Sequence, residues 1–534
     1  MKEAALGRAR YTASRRSPAS LAQHFTPPAV ADFVWALLRL YSGGRLGPAS
    51  RVIDPAAGRG ALLEAVLREG LLAPREVYGI EIDPLLTAET AAALQPARLL
   101  TGDGLTGALP GVEPASFDAV VANPPFGRPG TILPPQTLAR AASRLAVWRA
   151  APGNRRGAAA GLAACPVEVL FVERALELVV PGGVVGLIMP EGFYTNARLQ
   201  WARDWVLGRA RVLVVAALPA GVFRRGDLCA RAGVLVLQRP PGGPVEARSL
   251  LLRPTGDDEE AAGYLQRAQR MVRRHVAGGR PGGPRACLLS ARRLAGQRWD
   301  ASFWRGRMLV RRLARSRDVR PLGDFIELLA YGPIITGSRP TPVAAGVRVV
   351  RQSDFAEAGL RRCGALYVEP GSPHDPPRTR VRPGDLLLPR SGAGSLGRNR
   401  MAVMVAEELA NVSCFVDLIR LCGIDPFYVW LFLRSAAGWG QIRSLLNGVG
   451  TPNISFAEIR SLRVPVVPSE QQAGFRQRYV AEVWPLHCLS PQSPAQEARA
   501  AARFGLLVRQ VEELLSGTPG TRSACPSPGR SLHS

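Results

Sequence analysis

Between residues 20 and 240, short apolar runs alternate with stretches of helical length. No other feature constrains the fold of this chain as strongly. The runs RVIDP (51–55), EVYGIEID (76–83), FDAVVANPP (117–125), GGVVGLIMP (182–190), RVLVVAAL (211–218) and AGVLVLQR (232–239) read as buried strands. Segments such as 60–69 and 166–180 read as the helices between them. Strands that are apolar on both faces need helices on both sides. The expected architecture is therefore an α/β, doubly wound, mainly parallel, Rossmann-like sheet.

In an open parallel sheet, ligands bind beyond the carboxyl ends of the strands. The stretch RVIDPAAGRGALLEAV puts Asp54 at the end of a strand, followed by Gly58 and Gly60 before a helix. The glycines let a ligand approach the backbone. The third glycine of the dinucleotide fingerprint is missing, and so is the phosphate-loop pattern. Glu81 ends the second strand, where a carboxylate can take both hydroxyls of a ribose. Asp103, in TGDGL, ends the third. Each acid has an alternative as a helix cap, and for Asp83, which precedes Pro84, the cap is the better reading.

The fourth run ends in Asn123-Pro124-Pro125-Phe126. The Asn side-chain oxygen and the Pro124 carbonyl are two acceptors, the prolines hold the turn rigid, and Phe126 offers a flat face. This set suits a planar ring that carries an amino group. Two acceptors that draw both amino hydrogens pull the nitrogen lone pair out of conjugation and make it nucleophilic. A plain strand-ending turn is the alternative.

Taken together, these motifs resemble the gamma-class N6-adenine DNA methyltransferases, as found in type I modification subunits and single-chain type II-like enzymes. QHFTPPAVADFV (23–34) is similar to the family's QxxTP motif, DPAAGRGALL to its DPxxGxGxxL motif, GIEID to its second motif and NPPF to its catalytic tetrapeptide. VEVLFVERALELVVPGGVVGLIMPEGF (167–193) and LPAGVFRRGD (218–227) resemble later motifs. The resemblance implies S-adenosylmethionine as cofactor, contacted by Thr26, Asp54, Gly58, Glu81 and Asp103. It also implies a catalytic set of Asn123, Pro124, Pro125 and Phe126, with Phe126 and Phe223 stacking on a flipped-out adenine. Residues 127–166 form an unusually long insert after the tetrapeptide, fitting either a lid over DNA or a species-specific loop.

The later part of the chain resembles the target recognition domain of type I specificity subunits, through stretches such as RVRPGDLLLPRSGAGSLGR (380–398) and the run ending in VPVVPSEQQ (464–472). The expected organisation is a methyltransferase domain over 1–245, a Pro/Gly/Arg-rich connector over 246–298, an α+β DNA target recognition domain over 299–490 opening at WDASFW, and a helix with a disordered tail over 491–534. The expected function is site-specific methylation of the adenine N6 amino group in DNA, within a restriction-modification or related defence system. Methylation of an RNA base or a protein glutamine amide is the alternative.

Composition supports a polyanionic partner. The 68 basic residues outnumber 42 acidic ones, a net charge of +26, which favours double-stranded DNA through phosphate contacts. Codon bias accounts for part of this, since Lys2 is the sole lysine and arginine supplies the rest. The lysine census also argues against a phosphate-loop ATPase and a lysine-dependent nuclease core in this chain. A separate restriction nuclease subunit is a compatible partner. The eight cysteines show no metal-binding spacing, and no metal is expected. No apolar run approaches the ~18 residues of a membrane span, and a cytoplasmic location with no membrane partner follows as the expectation.

Overall fold

The computed structural model describes residues 26–517, apart from 153, 155–156, 220, 226–227, 243–246, 255–258, 282–284, 316, 336–339, 393, 447–451 and 489–492. The chain divides into two compact units, Met1–Ala301 and Ser302–Ser534.

The first unit is built on one nine-stranded sheet. Its strands are β1 (Val52–Asp54), β2 (Val77–Glu81), β3 (Arg98–Thr101), β4 (Phe117–Ala122), β5 (Val179–Pro190), β6 (Arg211–Ala217), β9 (Ala232–Gln238), β10 (Arg248–Leu252) and β11 (Ala286–Ser290), while β7 (Phe223–Arg225) and β8 (Leu228–Ala230) form a separate small hairpin. The sheet order is β11-β10-β6-β9-β5-β4-β1-β2-β3. β1 pairs in parallel with β2 and β4, and β2–β3, β4–β5 and β6–β10 are also parallel. β9 runs antiparallel between β5 and β6. The strands β1, β2, β4 and β9 are almost wholly buried, which is why they read as continuous apolar runs. The expected α/β doubly wound, mainly parallel sheet is what forms.

Helices α1 (Pro28–Ser42), α2 (Ala61–Arg68) and α3 (Pro84–Ala93) follow their sequence signals. α1 starts with Pro28 at its first turn and ends at Gly43, whose φ is +62°. α3 is capped by Asp83, whose carboxylate accepts from Leu85 N and Leu86 N, as the cap reading has it. The helix Val167–Leu178 packs against β4 and β5.

Two boundary expectations change. Residues 246–298 were expected as a connector, yet they carry β10, the helix Ala261–Val276 and β11, which extend the sheet beyond β6. The Pro, Gly and Arg around them mask two five-residue strands whose place is fixed only by their pairing. WDASFW was expected to open the second domain, but Trp299 is buried in the first unit, where its N–H donates to the Tyr194 carbonyl at 2.9 Å and its ring meets Phe193 edge-on.

The second unit is α+β. One four-stranded sheet has the order Ile326–Tyr331, Val416–Leu421, Leu386–Pro389, Ala402–Val403, and another has the order Leu366–Val368, Val347–Val350, Ala410–Val412, Arg380–Val381. Two helices follow, Pro426–Arg434 and Ala436–Leu445, divided at Ser435, whose hydroxyl caps the second through Gly438 N. The helix expected within 491–534 forms as Pro494–Ser516, with Phe504 packed 4.6 Å from Trp430 between ring centroids. The tail expected to be disordered lies outside the described residues from 518 onward.

Candidate cofactor and amino-group site

The carboxyl ends of β1, β2 and β4 lie side by side, because Ile53 is in register with both Tyr78 and Val120. Asp54 is buried at the end of β1 and accepts from Ala56 N at 2.9 Å. Burial pushes its carboxyl up to about 8, the bond from Ala56 N opposes this, and the charge of Glu81 adds to it. Glu81 is also buried, and burial raises its carboxyl above the usual range despite bonds from Asp83 N at 3.0 Å and Gly58 N at 2.9 Å. The bond from Gly58 joins the glycine turn after β1 to the end of β2.

The two glycines of that turn do different work. Gly58 has φ +53° and nothing within 4 Å of where a Cβ would stand, so its backbone faces open space. Gly60 has φ +75°, and a Cβ there would lie 2.5 Å from Leu94 Cδ1; it serves the packing of α2 against the C-terminal end of α3.

Asp103 sits differently. Its Oδ1 accepts from Leu105 N at 3.0 Å and Thr106 N at 3.2 Å, and its Oδ2 accepts from the Thr106 hydroxyl and from Thr137 Oγ1 at 3.1 Å. No helix follows Asp103, so it caps none; its carboxylate closes the turn 103–106 that follows β3. Thr137 belongs to the insert 127–166, whose helix Pro135–Arg144 docks on the same loop through Arg144 Nη1 to the Thr106 carbonyl at 2.9 Å. The insert is also fastened at Glu173, which accepts from Ala146 N and Val147 N. Thr137 carried no sequence signal, and Glu173 was quoted within a motif without this role being legible there.

The tetrapeptide follows β4. Asn123 is half-buried, and its Nδ2 donates to Thr26 Oγ1 at 3.0 Å. Thr26, just ahead of α1, is thus brought onto the end of β4 from 97 positions away. The contact turns the amide nitrogen toward α1 and the oxygen away from it. Pro124 is buried, while Pro125 and Phe126 are half-buried. Behind the tetrapeptide, Gly127 is held on both sides: its N–H donates to Glu168 Oε2 at 3.0 Å, and its carbonyl accepts from Val167 N at 2.9 Å. Burial pushes the Glu168 carboxyl up to about 7. Glu168 was quoted within a motif, but its role as an anchor was not legible there.

Phe223, expected to stack on a base, is 7% exposed and belongs to the hydrophobic cluster against which Phe126 packs. In this structure its ring lies within the core and presents little face to solvent.

The first unit is thus an open, mainly parallel sheet with an antiparallel strand set between β5 and β6 and with buried acids at the ends of β1 and β2. Residues 10–242 match the family described as N-6 DNA Methylase. The chain is 24% identical over 247 residues to the defense against restriction protein B of Escherichia phage P1, a match that covers 46% of this chain and 9% of the phage protein. It is similar to the type IIG restriction endonuclease BpuSI, with 15% identity and a TM-score of 0.46, covering 92% of this chain and 66% of that one. It is also similar to the type I methyltransferase subunit from Streptococcus thermophilus, with 17% identity and a TM-score of 0.38, covering 51% of this chain and 57% of that one. The chain thus spans less than two thirds of the length of each of these relatives. Among the described residues no helix is long and apolar enough to cross a membrane.

Proposed function

We propose that this chain methylates the N6 amino group of adenine at specific sites in double-stranded DNA, within a restriction-modification or related defence system. The observation that carries the proposal is the placing of Asn123-Pro124-Pro125-Phe126 at the end of β4, beside the buried acids of β1 and β2.

The residues fit the cofactor. Asp54 and Glu81 are buried carboxyls held above their ordinary range, so a partner carrying positive charge or hydroxyl donors stabilises their charged forms. Gly58 leaves backbone open beside them. Thr26, Asp54, Gly58 and Glu81 would hold S-adenosylmethionine, with Asp103 at the margin through the turn its carboxylate closes. When bound, the cofactor supplies an electrophilic methyl carbon.

The chain's own residues prepare the nucleophile. Thr26 orients the Asn123 amide so that its oxygen is the acceptor for one amino hydrogen, and the Pro124 carbonyl accepts the other. Both acceptors are fixed before substrate arrives, one by the Thr26 bond and one by the proline ring. Phe126 stacks on the extruded base and offsets part of the few kcal/mol that unstacking costs. The second unit is proposed as the reader of the DNA sequence, and a separate nuclease subunit remains compatible as a partner.

The test is direct sequencing for N6-methyladenine in DNA incubated with the pure chain and S-adenosylmethionine. A recurrent methylated motif supports the proposal. Unmodified DNA, with label transferred to RNA or to a protein glutamine amide, replaces it with one of the rival substrates.

A further inference from the structure

The second unit contains an arginine held in an unusual setting. Arg390 follows the strand Leu386–Pro389 and lies over the Tyr331 ring at 3.9 Å, with Phe456 at 5.5 Å from the same guanidinium. Tyr331 and Phe456 are themselves 5.8 Å apart. Arg390 Nε faces Asp417 Oδ1 at 3.3 Å. Asp417 is wholly buried, and among the described residues neither of its carboxylate oxygens receives a hydrogen bond. The Arg390 side chain is 30% exposed.

The backbone around this group is fixed as firmly. Arg390 N donates to the Phe415 carbonyl at 2.9 Å, and Ile454 N donates to the Arg390 carbonyl at 3.2 Å. Gly392 N donates to the Pro452 carbonyl at 3.1 Å, and Gln352 Nε2 bridges the carbonyls of Ser391 and Phe415. Four separate stretches of chain, near 352, 390, 415 and 453, are thereby tied together behind one guanidinium. Phe415 and Ile334 are exposed apolar side chains on neighbouring stretches, at 56% and 69%.

A structural ion pair does not need this arrangement. A buried carboxylate with a single, imperfect ion pair is costly to keep, and burial pushes the Asp417 carboxyl up to about 7 even with Arg390 lowering it. What the arrangement achieves is to fix the plane of a guanidinium before any partner arrives. The aromatic faces hold the plane and Asp417 engages the Nε side. The two Nη groups, in the fixed fork of arginine, are the edge left to make a bidentate contact with a planar pair of acceptors. In DNA the matching pair is the O6 and N7 edge of guanine in the major groove. A phosphate also accepts from arginine, but it asks for no such fixed plane, since a flexible side chain tracks it equally well.

We propose that Arg390 reads a guanine in the methylation target, positioned by Tyr331, Phe456 and Asp417. The proposal rests on the reading of this chain as a sequence-specific DNA methyltransferase and names one of its specificity-determining residues. The exposed Phe415, whose carbonyl accepts from Arg390 N, adds apolar surface on the adjoining stretch.

The experiment uses the full chain. DNA is methylated with the wild type, with Arg390→Lys, with Arg390→Ala and with Asp417→Asn, and the methylated motif of each is read by direct sequencing. Thermal melts confirm that the variants are folded. Arg390→Lys keeps the charge and loses the fork, so it is expected to make one guanine position of the motif degenerate. Preference there should drop by about ten- to a hundredfold, the scale of one bidentate base contact, with the salt dependence of binding unchanged. Asp417→Asn is expected to relax the same position and no other. Replacing that guanine by 7-deazaguanine should reproduce the loss in the wild type and have no further effect in Arg390→Lys. An unchanged motif in folded Arg390→Lys overturns the proposal, as does a wild-type motif without guanine. A loss spread evenly over all sequences in Arg390→Ala, with the salt slope reduced by about one, makes Arg390 a phosphate contact and also overturns it. If the wild type methylates no DNA at all, the functional reading falls, and this inference with it.

Discussion

Asp54 gives the sharpest test of the cofactor site. With its carboxyl at about 8, the group is mostly neutral at pH 7 in the free protein. S-adenosylmethionine carries a sulfonium and an ammonium, and a cation nearby favours the charged carboxylate. Binding should therefore expel the proton. At pH 7 the free protein carries about 0.9 proton on a group of this pKa, so binding should release close to that number if the carboxyl falls well below neutrality in the complex. The same linkage weakens binding on acidification: between pH 7 and pH 6 the affinity should fall by about ninefold. The assay is calorimetry of S-adenosylmethionine binding in two buffers of different ionisation enthalpy, which yields the number of protons released. Asp54→Asn, nearly the same in shape, should release none and should bind with little change over that pH interval. Wild-type binding without proton release, or equal release from Asp54→Asn, would refute the assignment of Asp54 to the cofactor.

Asp54 also sets a stability trend. Its folded pKa, about 8, lies above its ordinary 3.8, so the native state holds the proton more tightly than the unfolded chain, and stability without cofactor should fall as pH rises from about 4 to about 8. Thermal melts against pH check this, with Asp54→Asn flattening that interval. Glu81→Ala should weaken S-adenosylmethionine binding by about 1–3 kcal/mol, the scale of losing charge-assisted hydrogen bonds; calorimetry on the folded variant reads it, and unchanged affinity rules out a cofactor role. Asn123→Ala should abolish methyl transfer while leaving cofactor affinity largely intact, and normal turnover would sink the amino-group mechanism. Phe126→Ala should slow methylation through lost stacking, worth about 1–3 kcal/mol, measured as initial rates on duplex DNA. A chain cut after residue 245 loses β10 and β11 and bares the β6 edge, so it should aggregate, whereas one ending at Ala301 should stay folded and bind S-adenosylmethionine without selecting a DNA sequence; light scattering and calorimetry compare the two.

The sequence by itself determined the elements whose signals are local. Buried strands such as Val77–Glu81 and Phe117–Ala122 are legible because apolar residues occupy both faces over most of their length. The placing of Asp54, Glu81 and Asn123 at strand ends is legible for the same reason: strand, acid or amide, and turn lie within a few residues of one another. Asp83 as a cap needs only the proline that follows it. The tertiary structure decided what depends on partners distant in the chain. Nothing near Thr26 announces that it receives the Asn123 amide 97 positions on. Nothing near Asp103 announces that Thr137 shares its carboxylate, or that Glu168 grips the backbone after the tetrapeptide. Phe223 looked like a base-stacking ring until packing placed it in the core, and β10 and β11 became strands only by lying against β6 and each other. Arg390 was one arginine among many in composition. Its setting is created by the convergence of Tyr331, Asp417 and Phe456 from a strand, a second strand and a helix. Local periodicity and turn chemistry are written along the chain, whereas the environment of a charged side chain is set by which surfaces are buried against it, and that is settled only when the chain packs.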